Sequence, residues 1–229
     1  MSCWLARRNA FWCINTSKKA QQKRFLALGT LPIGHQAISN WEIYQPRLHP
    51  DSISAQKTHQ RWPFLKRPIR RLILCPGAAF GSAKQWPNHY FAEIIRVKHN
   101  EGWQVILLGA QHDRRVGEQI QQQSGQVAFN LIGQTTLSEA LDILSAATLV
   151  ISNDSGLMHC AAALQKPLIV IYGASSPRFT PPLTEHAIIL STALACQPCF
   201  QRECAFGHVD CLTKITPKQV LQAIHALID

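Results

Sequence analysis

The richest polar chemistry in the chain lies in Ile151-Ser-Asn-Asp-Ser-Gly-Leu-Met-His159. Asn153, Asp154 and Ser155 offer side-chain donors and acceptors, and Gly156 lets a ligand approach the backbone closely. An apolar run precedes the segment and a helical pattern follows it. A helix opening at Gly156 would turn its unpaired N–H groups and the positive end of its dipole toward whatever binds. A diphosphate or the hydroxyls of a sugar suit that environment. His159 lies one turn further along and would reach the same ligand; a lone histidine on a helix also reads as a structural residue.

Three other segments have related character. Cys75-Pro-Gly-Ala-Ala-Phe-Gly-Ser-Ala-Lys-Gln-Trp-Pro87 holds two glycines and one cation. Amides freed by Gly77 and Gly81 would face an anion and Lys84 would neutralise a phosphate oxygen, or the stretch is a plain glycine-containing turn. It is not a P-loop, because no Gly-Lys-Ser/Thr stands at the required spacing. Gly109-Ala-Gln-His-Asp113 places a carboxylate at the start of a helix, where its two oxygens match the neighbouring hydroxyls of a ribose or, with no ligand, cap the helix. In Tyr172-Gly-Ala-Ser-Ser-Pro-Arg-Phe-Thr-Pro-Pro182, Gly173, Ser175 and Ser176 would line a sugar pocket and Arg178 would sit near phosphate, the alternative being a proline-fixed loop.

A further cluster, Cys196, Cys199, Cys204 and Cys211, has the spacing C-x2-C-x4-C-x6-C. It has the ligand count of a tetrahedral thiolate site, but its spacing is not one of the paired C-x2-C zinc arrangements. The reading adopted is ordinary buried or surface thiols in a reducing compartment, with a structural metal as the alternative.

The elements that must position these residues begin at Leu72. Short apolar runs at Leu72–Cys75, Val105–Leu108, Leu149–Ser152 and Leu168–Tyr172 read as strands buried on both faces. Weaker strands are expected near Val127–Leu131 and Ala187–Leu190. Between them His89–Asn100, His112–Gln123, Leu137–Ala146 and Gly156–Leu164 repeat apolar residues at helical spacing, and Thr216-Pro217 opens a last helix to about Ile228. Alternating strands and helices mean crossover connections: an α/β fold with a Rossmann-like parallel sheet and helices on both faces. Ligands of such sheets bind beyond the carboxyl ends of the strands, which is where all four loops lie.

Residues 1–71 differ in texture. Trp4, Phe11 and Trp12 give a short apolar opening, Ser17–Arg24 is polar and basic, and Pro32, Pro46, Pro63 and Pro68 punctuate the rest. Gln21–Leu28 suits a short helix; the remainder reads as irregular. The division is therefore 1–71, a basic and mostly irregular segment, and 72–229, a Rossmann-like domain whose loops suit a diphosphate and the hydroxyls of a sugar. The chain carries 23 Lys/Arg against 13 Asp/Glu, and residues 1–71 hold 13 of those cations with only Glu42 and Asp51, leaving 10 cations and 11 acids for the remainder. The excess charge is thus confined to the first third, without the basic-aromatic pattern of an RNA-binding module, and no nucleic-acid partner is expected. With 46% hydrophobic residues the chain has enough apolar surface for a core. No apolar stretch is long enough for a membrane span, and Met1–Ala20 lacks the apolar centre of a signal peptide, so a cytoplasmic location is expected.

Together these segments resemble the heptosyltransferases of lipopolysaccharide core assembly, glycosyltransferase family 9, and within it the heptosyltransferase II branch. The matching pieces are the Cys75–Pro87 loop, written in the family approximately as P-G-A-x-x-G-x-x-K-x-W-P and here including Gly77, Ala78, Gly81 and Lys84; the N-D-S-G-L-M-H run ending at His159; Tyr172-Gly-x-Ser-Ser-Pro continuing to Pro182; and the cysteine region from Gln197-Pro198-Cys199 to Gly207-His208. The resemblance implies the C-terminal domain of a GT-B glycosyltransferase, two Rossmann-like domains facing across a cleft. It implies that Lys84 contacts a diphosphate, that Asp113 stands near the ribose, and that Asp154, Ser155, Gly156, Leu157 and His159 form the phosphate and heptose end, with Gly77, Ala78, Gly81, Gly173 and Ser175 as further loop contacts.

The implied reaction transfers heptose from ADP-heptose to the inner core of lipopolysaccharide, with inversion. No cofactor or metal is required, because Lys84 and the helix N-terminus would stabilise the departing ADP. The implied partners are ADP-heptose, the lipopolysaccharide core acceptor and, peripherally, the cytoplasmic face of the inner membrane. The family's acceptor-binding domain opens with a strand and a glycine–aspartate loop that supplies the acceptor base. Residues 1–71 are too short for that domain, only Lys23–Gly29 resembling its final helix, so no catalytic base is identified. The alternative is a non-catalytic ADP-sugar-binding fragment.

Overall fold

The structure, a computed structural model, describes residues 46–228. The helix expected at Gln21–Leu28, the apolar opening around Trp4, Phe11 and Trp12, the polar run Ser17–Arg24 and the resemblance at Lys23–Gly29 lie outside the described residues.

The described chain runs α1 (Ser52–Arg61), β1 (Arg71–Cys75), α2 (Asn88–Asn100), β2 (Gln104–Leu107), α3 (Arg114–Gln123), β3 (Phe129–Asn130), α4 (Leu137–Ser145), β4 (Leu149–Asn153), α5 (Gly156–Ala163), β5 (Leu168–Tyr172), β6 (Ala187–Ser191), α6 (Asp210–Thr213) and α7 (Pro217–Ile228). The strands form one sheet in the order β3-β2-β1-β4-β5-β6, every pair parallel. Parallel pairing requires a crossover between strands, and the helical runs read from the sequence supply most of those crossovers.

Strand periodicity assigns alternate residues to the two faces of the sheet. Leu72, Leu74, Val105, Leu107, Leu149, Ile151, Ile169 and Ile171 pack on one side with Phe91, Ile94 and Ile95 of α2, Ile120 of α3 and Val220 and Ile224 of α7. Ile73, Cys75, Ile106, Val150, Leu168, Val170 and Tyr172 pack on the other with Ile143 and Leu144 of α4 and Met158 and Ala161 of α5. The four central strands are buried at every position, which is why each reads as an unbroken apolar run rather than an alternating one.

Helix α1 falls in a stretch expected to be irregular. Its lone large apolar residue, Ile53, is 63% exposed, so it carries no hydrophobic period that could announce it. Polar contacts hold it instead. Asp51 caps it by accepting from the Ser54 N–H at 3.0 Å, and the hydroxyls of Ser54 and Thr58 both donate to Asp142 of α4 at 2.7 Å. Arg61 adds an ion pair to Glu139 at 2.7 Å. Behind α1, a 3-10 turn at Pro63–Lys66 buries Leu65 against the sheet, and the buried Arg71 guanidinium donates to Gln104 and to the carbonyl oxygens of Leu65 and Arg67. Among the described residues no helix is long and apolar enough to cross a membrane.

Candidate functional site

The order of the sheet places the site. Strands β1 and β4 are neighbours, with Cys75 paired to Ser152 at their carboxyl ends, yet β1 leads by crossover to β2 on one side and β4 to β5 on the other. The loops leaving β1 and β4 therefore diverge and leave a crevice, the switch point where open α/β sheets bind ligands. A cavity of about 510 Å3 opens there.

Asn153, the last residue of β4, ties the two loops together. Its Nδ2 donates to the Pro76 carbonyl at 2.7 Å and its Oδ1 accepts from the Trp86 N–H at 3.2 Å, so both ends of the Cys75–Pro87 loop are fixed to β4. That loop carries Lys84 on a 3-10 turn, Ser82–Lys84. The Lys84 ammonium meets Asp154 Oδ2 at 2.6 Å, with the lysine side chain 13% and the aspartate 4% exposed. Ser175, buried behind them, donates to the same oxygen at 2.6 Å. The carboxylate thus holds the lysine at the mouth of the cavity, and the pair is sheltered from the solvent screening that weakens surface ion pairs.

Next to this pair α5 begins. Ser155 occupies its cap position in extended conformation, but its side chain makes no capping hydrogen bond, and its hydroxyl instead lies 3.3 Å from that of Ser152. The first N–H groups of α5 therefore lack the usual side-chain partner. Open space surrounds Gly156 where a side chain would stand. Leu157 and His159 line the same cavity. Burial holds the His159 imidazole below its ordinary range; the Asp154 carboxylate pulls it up and the Lys84 ammonium pushes it down.

Asp113 forms the other wall. It stands at the cap position of α3, but its carboxylate does not cap that helix; Oδ2 accepts from the Ala110 N–H at 3.1 Å. The carboxylate presses against Gly77 so closely that a Cβ there would lie 2.2 Å from Oδ2. Gly77 is thus explained by close approach to the opposite loop.

Lys84, Asp113, Asp154, Ser155, Gly156, Leu157, His159 and Gly77 all border this one cavity. The other loop residues singled out do not. Gly81 packs against the Arg202 carbonyl, where a Cβ would lie 2.2 Å from the oxygen, and Gly173 packs against the Ala83 carbonyl, 2.5 Å by the same measure. Ala78 is buried in its loop, Ser175 acts through Asp154, Ser176 accepts from the Arg178 N–H and Arg178 points to solvent. The structure adds Phe80, Leu137 and Thr180 to the lining. Phe80 lies within a loop already singled out, and its ring sits 4.8 Å from the Lys84 ammonium. Thr180 also lies in a singled-out loop, Tyr172–Pro182, whereas Leu137 opens α4 and carries no signature of its own.

Comparison with known proteins gives this geometry a context. Residues 18–210 match the sequence profile of glycosyltransferase family 9 (heptosyltransferase). The chain is 42% identical over 167 residues to the lipopolysaccharide heptosyltransferase 2 of Salmonella typhimurium, a match covering 71% of this chain and 47% of that protein. Against the protein of the same name from Escherichia coli K12 the identity is 40% over 169 residues, with the same coverage. The solved structure of E. coli ADP-heptose lps heptosyltransferase II superimposes with a TM-score of 0.68 at 36% identity, covering 80% of this chain and 53% of that one. The chain spans about half the length of the curated relatives it matches.

Proposed function

The chain belongs to glycosyltransferase family 9 (heptosyltransferase), and from that premise we propose that its described residues form the half of a heptosyltransferase that holds an ADP-activated heptose. In this reading the fold is the C-terminal domain of a GT-B enzyme, and the reaction moves heptose from ADP-heptose to the inner core of lipopolysaccharide. The transfer takes place in the cytoplasm at the face of the inner membrane, where the acceptor is presented.

The diphosphate lies between the Lys84 ammonium and the uncapped amides of α5. As the bond from the sugar to ADP breaks, negative charge grows on the departing phosphate, and these donors are already aimed at it. A cation and a helix terminus supply the stabilisation that other glycosyltransferases draw from a metal, so none is needed for this step. Asp113 accepts from the ribose hydroxyls, and Asp154 with His159 faces the heptose. A base must also take the acceptor proton. The reading assigns that base to the acceptor domain.

One arrangement supports the reading most: Lys84, Asp154 and the open amide end of α5 border a single cavity at the switch point of the sheet. Calorimetry with ADP and ADP-heptose tests it. Binding is expected, and Lys84→Ala should weaken it by about 1.5–3 kcal/mol, the worth of a hydrogen bond to a charged group. A chain indifferent to both ligands sinks the proposal.

A further inference from the structure

Lys84 is held at both ends. Asp154 and Ser175 fix its ammonium, and the neighbouring Ala83, whose N–H and C=O are both engaged, fixes its backbone. The Ala83 N–H donates to the Arg202 carbonyl at 3.0 Å, and the Ala83 carbonyl accepts from the Ala174 N–H at 3.0 Å. The Ala174 carbonyl in turn accepts from the Phe200 N–H at 2.8 Å. Three segments therefore meet at Ala83 and Ala174: the Cys75–Pro87 loop, the loop after β5, and the loop between β6 and α6. Arg202 adds a side-chain link, its guanidinium lying 5.6 Å from the centre of the Phe80 ring, the same ring that the Lys84 ammonium approaches.

The third segment needs an anchor of its own, because Phe200 and Arg202 are exposed and lie beyond the sheet. Its cysteines do not supply one. Cys196, Cys199, Cys204 and Cys211 are free thiols, and among the described residues no group of three Cys, His, Asp or Glu is arranged to hold an ion. The anchor is Gln197. Its Nε2 donates to the Gly173 carbonyl at 2.8 Å and to the Ser191 hydroxyl oxygen at 3.0 Å, with the Tyr172 carbonyl at 3.2 Å. Its Oε1 accepts from the Thr192 hydroxyl at 2.6 Å. Carbonyl oxygens only accept, so the amide must turn its NH2 group toward β5 and its oxygen toward Thr192. One side chain thus joins the end of β5, the end of β6 and the root of the loop.

Gln197 does not border the sugar-nucleotide cavity, so contact with a ligand there does not explain these bonds. We propose that Gln197 is a positioning residue for the diphosphate-binding cation: it pins the β6–α6 loop to the sheet, and that loop fixes Ala83 and hence Lys84 opposite Asp154 and the open end of α5. The proposal rests on reading the cavity as an ADP-sugar site. The gain is preorganisation, since donors already aimed at a diphosphate need no ordering when it arrives. Gln197→Met keeps the length of the side chain without its polar atoms, frees the loop and leaves Lys84 loosely held.

Amide hydrogen exchange in the unaltered chain is the first test. Under conditions where the strand amides do not exchange, Ala83, Ala174 and Phe200 should open together with one protection factor. Coupling is reciprocal, so ADP should slow all three by the same factor, although neither Ala174 nor Phe200 borders the cavity. In Gln197→Met, calorimetry should show ADP binding about fivefold more weakly, the worth of one hydrogen bond. Without ligand, acetic anhydride should modify Lys84 faster in that variant by a similar factor of about five. Lys98, 2% exposed and paired with Glu101, should keep its slow rate and so report an intact fold. Independent opening of Ala83 and Phe200 in the unaltered chain, or an unchanged Lys84 rate or ADP affinity in folded Gln197→Met, would overturn the assignment. A chain that binds no ADP overturns the reading of the cavity instead, and the exchange pattern and the acetylation rate still decide whether Gln197 holds Lys84.

Discussion

Asp154 Oδ2 accepts from both Lys84 and Ser175, and this shared oxygen makes Ser175 a positioning residue for the cation. Ser175→Ala leaves the carboxylate short of one buried hydrogen bond, and the expected cost is about 1–3 kcal/mol in a urea melt. Because Lys84 is then less firmly held, ADP should also bind more weakly by calorimetry, and Ser175→Thr, which keeps a hydroxyl, should recover most of both losses. His159 adds a pH dependence. Its folded-state pKa is depressed, mainly by burial. Above the ordinary histidine value of about 6.5 the side chain is neutral in both states; below it the unfolded chain takes up a proton that the folded chain does not. Stability contributed here is therefore present at neutral pH and lost as pH falls from about 6.5 toward the lower folded-state pKa. Urea melts across that range should show a flatter pH dependence for His159→Gln than for the unaltered chain. Of these residues, Lys84 and Asp154 were legible in the sequence because each sits in a loop after an apolar run, and His159 because it stands one turn into the helix that follows such a run. The coupling of Ser175 to Asp154 was not legible, since it joins loops after two different strands.

Among the elements, the β1 loop and the turn before α3 meet at Gly77 and Asp113. Gly77→Ala would drive a Cβ into the carboxylate, and overpacking of this kind costs about 1–3 kcal/mol. In an Asp113→Ala background the same change should cost much less, so a double-mutant cycle on stability should return a coupling energy of about 0.5–3 kcal/mol, and none if the two loops are independent. Helix α1 illustrates what periodicity misses. It is anchored by Thr58, 1% exposed, and Ser54 donating to Asp142. Asp142→Ala removes the shared acceptor and strands the buried Thr58 hydroxyl, with an expected loss of about 1–3 kcal/mol in a chemical melt. Short α6 escaped for a related reason: one helical turn is too brief to display a repeat.

At the scale of the whole molecule the site has no scaffold of its own; it is the crevice left where the crossovers from β1 and β4 part. Ligand binding should therefore stabilise the entire sheet. If ADP binds only the folded chain, a concentration of about 100 times its Kd should add about 2.7 kcal/mol to unfolding stability, seen as a concentration-dependent rise in Tm. The sequence by itself determined the strands, the main helices and the loops that carry the chemistry. Those signals are local: a strand buried on both faces must be apolar throughout, and a helix packed on a sheet must repeat its apolar residues every three or four positions. Only the tertiary structure decided which loops meet. Strand order, the pairing of Cys75 with Ser152 and the contact of Gly77 with Asp113 all join residues far apart in the chain. No pattern along one sequence encodes such contacts, because they arise from how the sheet twists and from which side each crossover takes.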